Sequence, residues 1–209
     1  MTTLALRTLL RKTIFSDDEL AILLSLQEPS ECQALYAEAY DRCEKILGNA
    51  VYIRALIEIS NLCVYDCRYC GIRKSNHTLQ RYTLTKREIL QAAERSFRAG
   101  YYSLALQSGE RNDARFIDFI TDVLRDLHAL SLSMGIKTGC GLTLSFGEQS
   151  RETYERWAKA SGNPTGLRYL LRLETSNPML FETIHGRGFR RKTLIERYLS
   201  LSELRLTGY

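Results

Sequence analysis

From residue 51 onward the chain alternates between two hydrophobic periods, and that alternation restricts its fold more than any other feature. Val51 to Ile59 is β-branched and partly alternating, which reads as a first strand. Thr85-Lys86-Arg87-Glu88 is a capping-box opening to a helix carrying Ile89, Leu90, Ala93 and Phe97, closed by Gly100. Tyr101 to Gln107 reads as a second strand, and Phe116, Ile120, Val123, Leu124 and Leu127 have helical spacing. Ile136 to Phe146 contains a third strand, preceded or interrupted by the soft segment Thr138-Gly139-Cys140-Gly141. Arg151 to Ala160 is a third helix and Leu167 to Leu173 a fourth strand. Asn177-Pro178 supplies an N-cap and a first-turn proline for a short helix over Met179 to Ile184, followed by a longer one over Lys192 to Leu206. The order β-α-β-α-β-α-β-α predicts an α/β fold with a parallel sheet and helical crossovers. About four β/α units make a partial TIM-type barrel.

Residues 1–50 have a different pattern. Ser16-Asp17-Asp18-Glu19 is a capping-box signal opening an apolar stretch to about Leu26. Ser30-Glu31-Cys32-Gln33 repeats it before a helix with Leu35, Ala39, Cys43 and Ile46–Leu47 on one stripe. The expected organisation is an N-terminal helical layer over 1–50 and a partial barrel over 51–209. A fifth strand is expected where the sequence stops, after Gly208-Tyr209. An open four-stranded sheet leaves two unpaired edges, so the expectation is a fragment or truncated product.

Composition excludes several classes. At 44% hydrophobic and 25% charged residues, the chain is ordinary for a folded globular protein. The net charge of +5 comes from basic residues scattered among acidic ones, which argues against a nucleic-acid partner. No apolar run approaches the ~20 residues that span a bilayer, and the N-terminus has no uninterrupted apolar h-region. The expected setting is cytoplasmic, where thiols stay reduced. Six cysteines there bind metal, react or fill core rather than pair as disulfides.

Three of them share one loop, directly after the first strand: Cys63-Val64-Tyr65-Asp66-Cys67-Arg68-Tyr69-Cys70. C-x3-C-x2-C spacing lets three thiolates converge on one centre, and thiolate is the ligand of iron–sulfur clusters. A cubane with three protein ligands keeps one iron open for a substrate or cofactor. The loop also follows the carboxyl end of a strand, the face on which barrel enzymes build their sites. A structural zinc site completed by His77 or Asp66 is the alternative, although zinc knots usually pair two C-x2-C hairpins and no second one exists here.

This motif, with aromatic Tyr69 before its last cysteine, resembles that of the radical S-adenosylmethionine (SAM) superfamily. Further segments are similar to the HydE group of FeFe-hydrogenase maturases, relatives of biotin synthase. They are Cys70-Gly71-Ile72-Arg73-Lys74, Arg81-Tyr82-Thr83-Leu84-Thr85, Leu106-Gln107-Ser108-Gly109-Glu110, Thr143-Leu144-Ser145-Phe146-Gly147-Glu148 and Tyr169 to Thr175. The resemblance implies a radical SAM partial barrel with a 4Fe-4S cluster on Cys63, Cys67 and Cys70. S-adenosyl-L-methionine would chelate the open iron and be cleaved reductively to a 5'-deoxyadenosyl radical. It further implies SAM contacts from Tyr69 (through its backbone, at the adenine), Gln107, Ser108, Gly109, Ser145 and Glu174. A small-molecule or iron-complex substrate, an electron donor such as ferredoxin or flavodoxin, and other hydrogenase maturases would be the partners, with no membrane.

Two departures stand out. The family's carboxylate-binding basic residue is sought in Gly188-Phe189-Arg190-Arg191-Lys192, where counting from Phe189 gives Lys192, with Arg191 beside it. The resemblance also implies a second half of the barrel, expected beyond Tyr209. Glu110 and Glu148 read equally as solvated loop carboxylates or as ligand contacts. Cys32, Cys43 and Cys140 read as buried structural thiols, His128 and His185 as surface or packing residues, and Trp157 with Tyr154 as a helix face against the sheet. Three rival readings remain: a biotin-synthase-like or other radical SAM activity, a zinc-stabilised binding module, and an inactive fragment.

Overall fold

The computed structural model describes residues 3–186 and 191–209, and its chain forms two compact units, Met1–Tyr52 and Ile53–Tyr209. The first unit holds three helices, α1 (Thr3–Leu10), α2 (Asp17–Leu24) and α3 (Pro29–Leu47), with Leu6, Leu10 and Leu23 buried together. Ser16 and Glu19 close the expected capping box on α2. Two expectations fail here. Helix α1 escaped the sequence reading because Arg7 interrupts its short apolar run. Helix α3 starts two residues early, since Glu28 is its N-cap, Pro29 takes the first helical position and Ser30 falls inside the first turn. Cys43 is exposed and Cys32 half-buried, with its thiol on the Leu26 carbonyl, so neither is a core thiol; Cys140 is.

In the second unit, β1 (Ala55–Ser60), α4 (Lys86–Arg98), β2 (Ser103–Ser108), α5 (Ala114–Ser133), β3 (Gly141–Ser145), α6 (Arg151–Ser161) and β4 (Leu167–Tyr169) alternate as expected. Helices α7 (Pro178–His185) and α8 (Leu194–Leu206) follow. The four strands are all parallel, in the order β1-β2-β3-β4. This is the strand arrangement of half a (β/α)8 barrel.

Strand periodicity assigns each side chain to a face. Ile57, Ile59, Leu104, Leu106, Leu142 and Leu144 are buried in one core with Ile89, Phe97, Phe116, Ile120 and Trp157 from the helices. The alternate positions, among them Gln107, Thr143 and Ser145, take the opposite face, so polar groups collect there while the apolar set anchors the helices. Thr85 and Glu88 form the capping box of α4, and Asn177 caps α7 ahead of Pro178, both as the sequence implies.

Strand limits differ from expectation because pairing, not propensity, sets them. Register places Ala55 opposite Leu104, and Val51, Tyr52 and Ile53 upstream lie outside any strand. Likewise β4 ends at Tyr169, paired with Leu144, and the last bond runs from the Leu170 N–H to the Leu144 carbonyl. Leu171 and Leu173 are apolar but lie beyond the ladder. Helix α8 begins at Leu194 rather than Lys192, because Thr193 and Glu196 form its capping box. Among the described residues no helix is long and apolar enough to cross a membrane.

Trp157 is fully buried, edge-on to Phe146 with ring centroids 5.4 Å apart, and its indole N–H reaches the Ile117 carbonyl at 3.3 Å. Trp157→Ala should cost about 3–5 kcal/mol, read as a lower urea midpoint at unchanged m-value.

Candidate functional site

The carboxyl ends of the strands open on one cleft of about 720 Å3, counting the part open to solvent. Cys63, Cys67 and Cys70 line it from the loop after β1, and Gln107 to Glu110 from the end of β2. Ser145 and Gly147 enter from the end of β3, Leu170 to Arg172 and Glu174 from the segment after β4, Lys192 from just before α8 and Arg197 from its first turn.

The cysteine loop contains little regular structure and is held by side chains. The Arg81 guanidinium donates to the carbonyls of Asn61 (2.6 Å), Ile72 (2.9 Å), Arg73 (2.6 Å) and Asn76 (3.1 Å). Asn61 ties the loop's two ends, donating to the Gln80 carbonyl and accepting from the Tyr82 N–H, both at 2.8 Å. Asp66 accepts from the Ser75 N–H and hydroxyl, which holds its carboxyl below the usual range. Asp66 is therefore occupied as a turn acceptor.

Behind the loop, β2 approaches too closely for a side chain. A Cβ on Gly109 would lie 2.2 Å from the Leu62 carbonyl oxygen, and the Gly109 N–H donates to the Ser60 carbonyl at 3.0 Å. Next to it, Glu110 is buried. Its backbone carbonyl accepts from Val64 at 3.1 Å, and its carboxylate accepts from the Glu148 N–H at 2.9 Å and forms an ion pair with the buried Lys192 ammonium. That ammonium also sits 4.7 Å from the centre of the Tyr65 ring. Glu110 is thus neither solvated nor free for a ligand, and the Lys192 charge is committed to it. Arg191 is exposed and lies outside the cleft lining. Gly188, Phe189 and Arg190, from which Lys192 was counted, lie outside the described residues.

The cation that sequence reading missed is Arg197. It is buried, donates through Nε to Glu148 at 2.6 Å and through Nη1 to the Arg172 carbonyl, and lines the cleft. The available signal was the Thr193-x-x-Glu196 box, which fixes the start of α8 and so sets Arg197 in its first turn. Glu148 is correspondingly a half-buried partner of Arg197 rather than a loose loop carboxylate. Glu174 lies five residues beyond β4 rather than at its end, exposed and facing the cleft, with a left-handed φ of +66°. That backbone is unusual for a residue with a side chain, and such outliers cluster at functional sites.

The three thiols surround the cleft without gathering at a point: among the described residues, no three His, Cys, Asp or Glu side chains group to hold a single metal ion. Burial pushes Cys67 up to about 11, with Lys192 opposing, and raises Cys63 as well. Any metal must displace these thiol protons. Soft sulfur donors spread around a shared cleft fit a polynuclear cluster, whose ligands go to different irons.

The sequence profile described as the radical SAM superfamily matches residues 57–205. The chain is 37% identical over 202 residues to the FeFe-hydrogenase maturase subunit HydE of Thermotoga maritima, covering 96% of this chain and 53% of the relative. It therefore spans about half the length of that curated protein. A crystal structure of HydG, a maturase of the FeFe-hydrogenase, superposes with a TM-score of 0.81 at 26% identity, covering 97% of this chain and 43% of the other. A crystal structure of methylornithine synthase matches at a TM-score of 0.77 and 20% identity over 98% of this chain and 56% of that one, a likeness of fold alone.

Removing one member of the buried Glu110–Lys192 pair strands the other. Lys192→Ala should destabilise the protein by about 3–5 kcal/mol, and combining Lys192→Met with Glu110→Gln should recover most of it; urea unfolding of the three proteins checks both.

Proposed function

Because this chain belongs to the radical SAM superfamily, we propose that Cys63, Cys67 and Cys70 hold a 4Fe-4S cluster and that the cleft beside them takes S-adenosylmethionine. The observation that carries this reading is the lining of the cleft: three cysteines from one loop, with a polar strand face and a buried arginine around them. When bound, the cluster and SAM supply one-electron reductive cleavage of a sulfonium to a carbon radical.

The chain's own residues bind, orient and shield. Arg197 takes the carboxylate-binding role that sequence counting gave to Lys192. A guanidinium is a planar fork suited to a carboxylate, and this one is already oriented by Glu148. Lys192 acts one step back, fixing Glu110 and through it the backbone of Val64 and Glu148. Gln107, Ser108 and the backbone of Gly109 present polar groups for an amino group, with Ser145 beside them on the next strand. Glu174, exposed in the cleft, accepts from ribose hydroxyls or the amino group. Tyr69 offers its backbone to the adenine.

The similarity to HydE supports a role in hydrogenase maturation. The substrate would be a small molecule or an iron complex carrying carbonyl, cyanide and cysteine ligands. A ferredoxin or flavodoxin would supply the electron, and other maturases would act before or after.

Anaerobic reconstitution tests the reading. It should give iron and sulfide in equal amounts, an EPR signal that SAM perturbs, and dithionite-dependent 5'-deoxyadenosine. Cys67→Ala should abolish all three, whereas Arg197→Lys should keep the cluster and weaken SAM binding about tenfold or more. One zinc per chain without sulfide would contradict the assignment.

A further inference from the structure

The C-terminal end of α7 meets the cysteine loop at three successive residues. The Ile184 carbonyl accepts from the Arg68 N–H at 2.8 Å, so one of the carbonyls orphaned at a helix end is satisfied by the loop. His185 follows, 2% exposed, with its Nε2 3.3 Å from the Tyr69 hydroxyl. Then comes Gly186, with a φ of +79°, where a Cβ would lie 3.1 Å from the Asp66 carbonyl oxygen.

The histidine's neighbours determine its proton. Nδ1 lies 2.9 Å from the Phe181 carbonyl, which can only accept, so Nδ1 carries the hydrogen and Nε2 is left to accept from Tyr69. The imidazole also packs on the fully buried Phe181 ring at a centroid distance of 3.9 Å, and meets the Tyr69 ring edge-on at 5.7 Å. Burial lowers its pKa, in keeping with a neutral ring. Its donor, its acceptor and its faces are all in use.

Tyr69 stands between Cys67 and Cys70, and its side chain is half exposed. Besides His185, its hydroxyl interacts with the Glu174 carboxylate, but Glu174 is exposed, which leaves His185 as the buried anchor of the Cys67–Cys70 turn. We infer that His185 is a positioning residue for the cysteine loop: through Tyr69, and with the flanking Ile184 and Gly186 contacts, it fixes the turn that carries two of the three thiols. Because α7 is capped by Asn177, three residues after Glu174, the same helix ties this turn to the far wall of the cleft. The consequence for cluster retention rests on the functional reading above, whereas the clamp itself is a property of the metal-free chain.

Amide hydrogen exchange on the cluster-free chain tests it. His185→Leu should speed exchange at residues 66–70 by about fivefold or more, the equivalent of one lost hydrogen bond, while β2 and α5 exchange as before. His185→Gln, whose amide oxygen can accept from Tyr69, should restore most of the protection. Tyr69→Phe should reproduce the leucine variant, and the double variant should go no further. After anaerobic reconstitution, His185→Leu should surrender iron to a chelator faster than the parent. Unchanged exchange at 66–70, equal acceleration throughout the strands, or additive effects of the two substitutions would overturn the inference. Failure of the parent chain to take up iron would instead sink the cluster assignment and leave the exchange result standing.

Discussion

The Arg81 guanidinium donates to four backbone carbonyls, Asn61, Ile72, Arg73 and Asn76, drawn from both sides of the cysteine loop. The loop runs for about twenty residues with almost no regular structure, and a segment of that length would otherwise sample many shapes. Five N–H donors in one rigid plane can gather several carbonyls at once; a lysine ammonium, with three donors on a flexible stem, cannot hold the same set. The consequence is local order without metal. Cys63, Cys67 and Cys70 face one cleft because the chain around them is already closed by hydrogen bonds.

Electrostatics continue this organisation across the strand ends. Glu110–Lys192 is buried and Glu148–Arg197 half-buried, and the two pairs are linked because the Glu148 N–H donates to Glu110. Ion pairs removed from solvent seldom stabilise a fold more than apolar residues would, so two such pairs beside a cleft, one buried and one half-buried, are better explained by what they orient. Lys192 fixes Glu110, which buttresses the cysteine loop through Val64; Glu148 aims Arg197. Glu110 and Glu148 each have a cationic partner, and the arginine faces the cleft.

Much of this was legible in the sequence where a local rule coincides with the global one. Capping signals at Ser16, Thr85 and Asn177 fall where helices begin, and the alternation of apolar periods gives the parallel sheet in its observed order. The C-x3-C-x2-C spacing locates the cleft because three thiols on one loop cannot lie far apart. What failed depended on partners distant in sequence. Leu171 and Leu173 have strand composition but no opposite residue on β3. Lys192 and Arg197 are both basic and close in sequence, and only the packing against Glu110 and Glu148 shows which charge is already taken. The Tyr69–His185 contact joins residues 116 apart, which no local pattern announces.

The claim that a single fork pre-shapes the cysteine loop can be tested on Arg81 directly, by measuring iron and sulfide uptake of Arg81→Lys beside its urea unfolding midpoint. Arg81 contacts the loop rather than the apolar core around Leu104, Leu144 and Trp157, so the account predicts a protein that still unfolds cooperatively but assembles only a small fraction of the parent's cluster. A lysine variant that assembles a full cluster as readily as the parent would show that the loop does not need its fork, and would contradict the account.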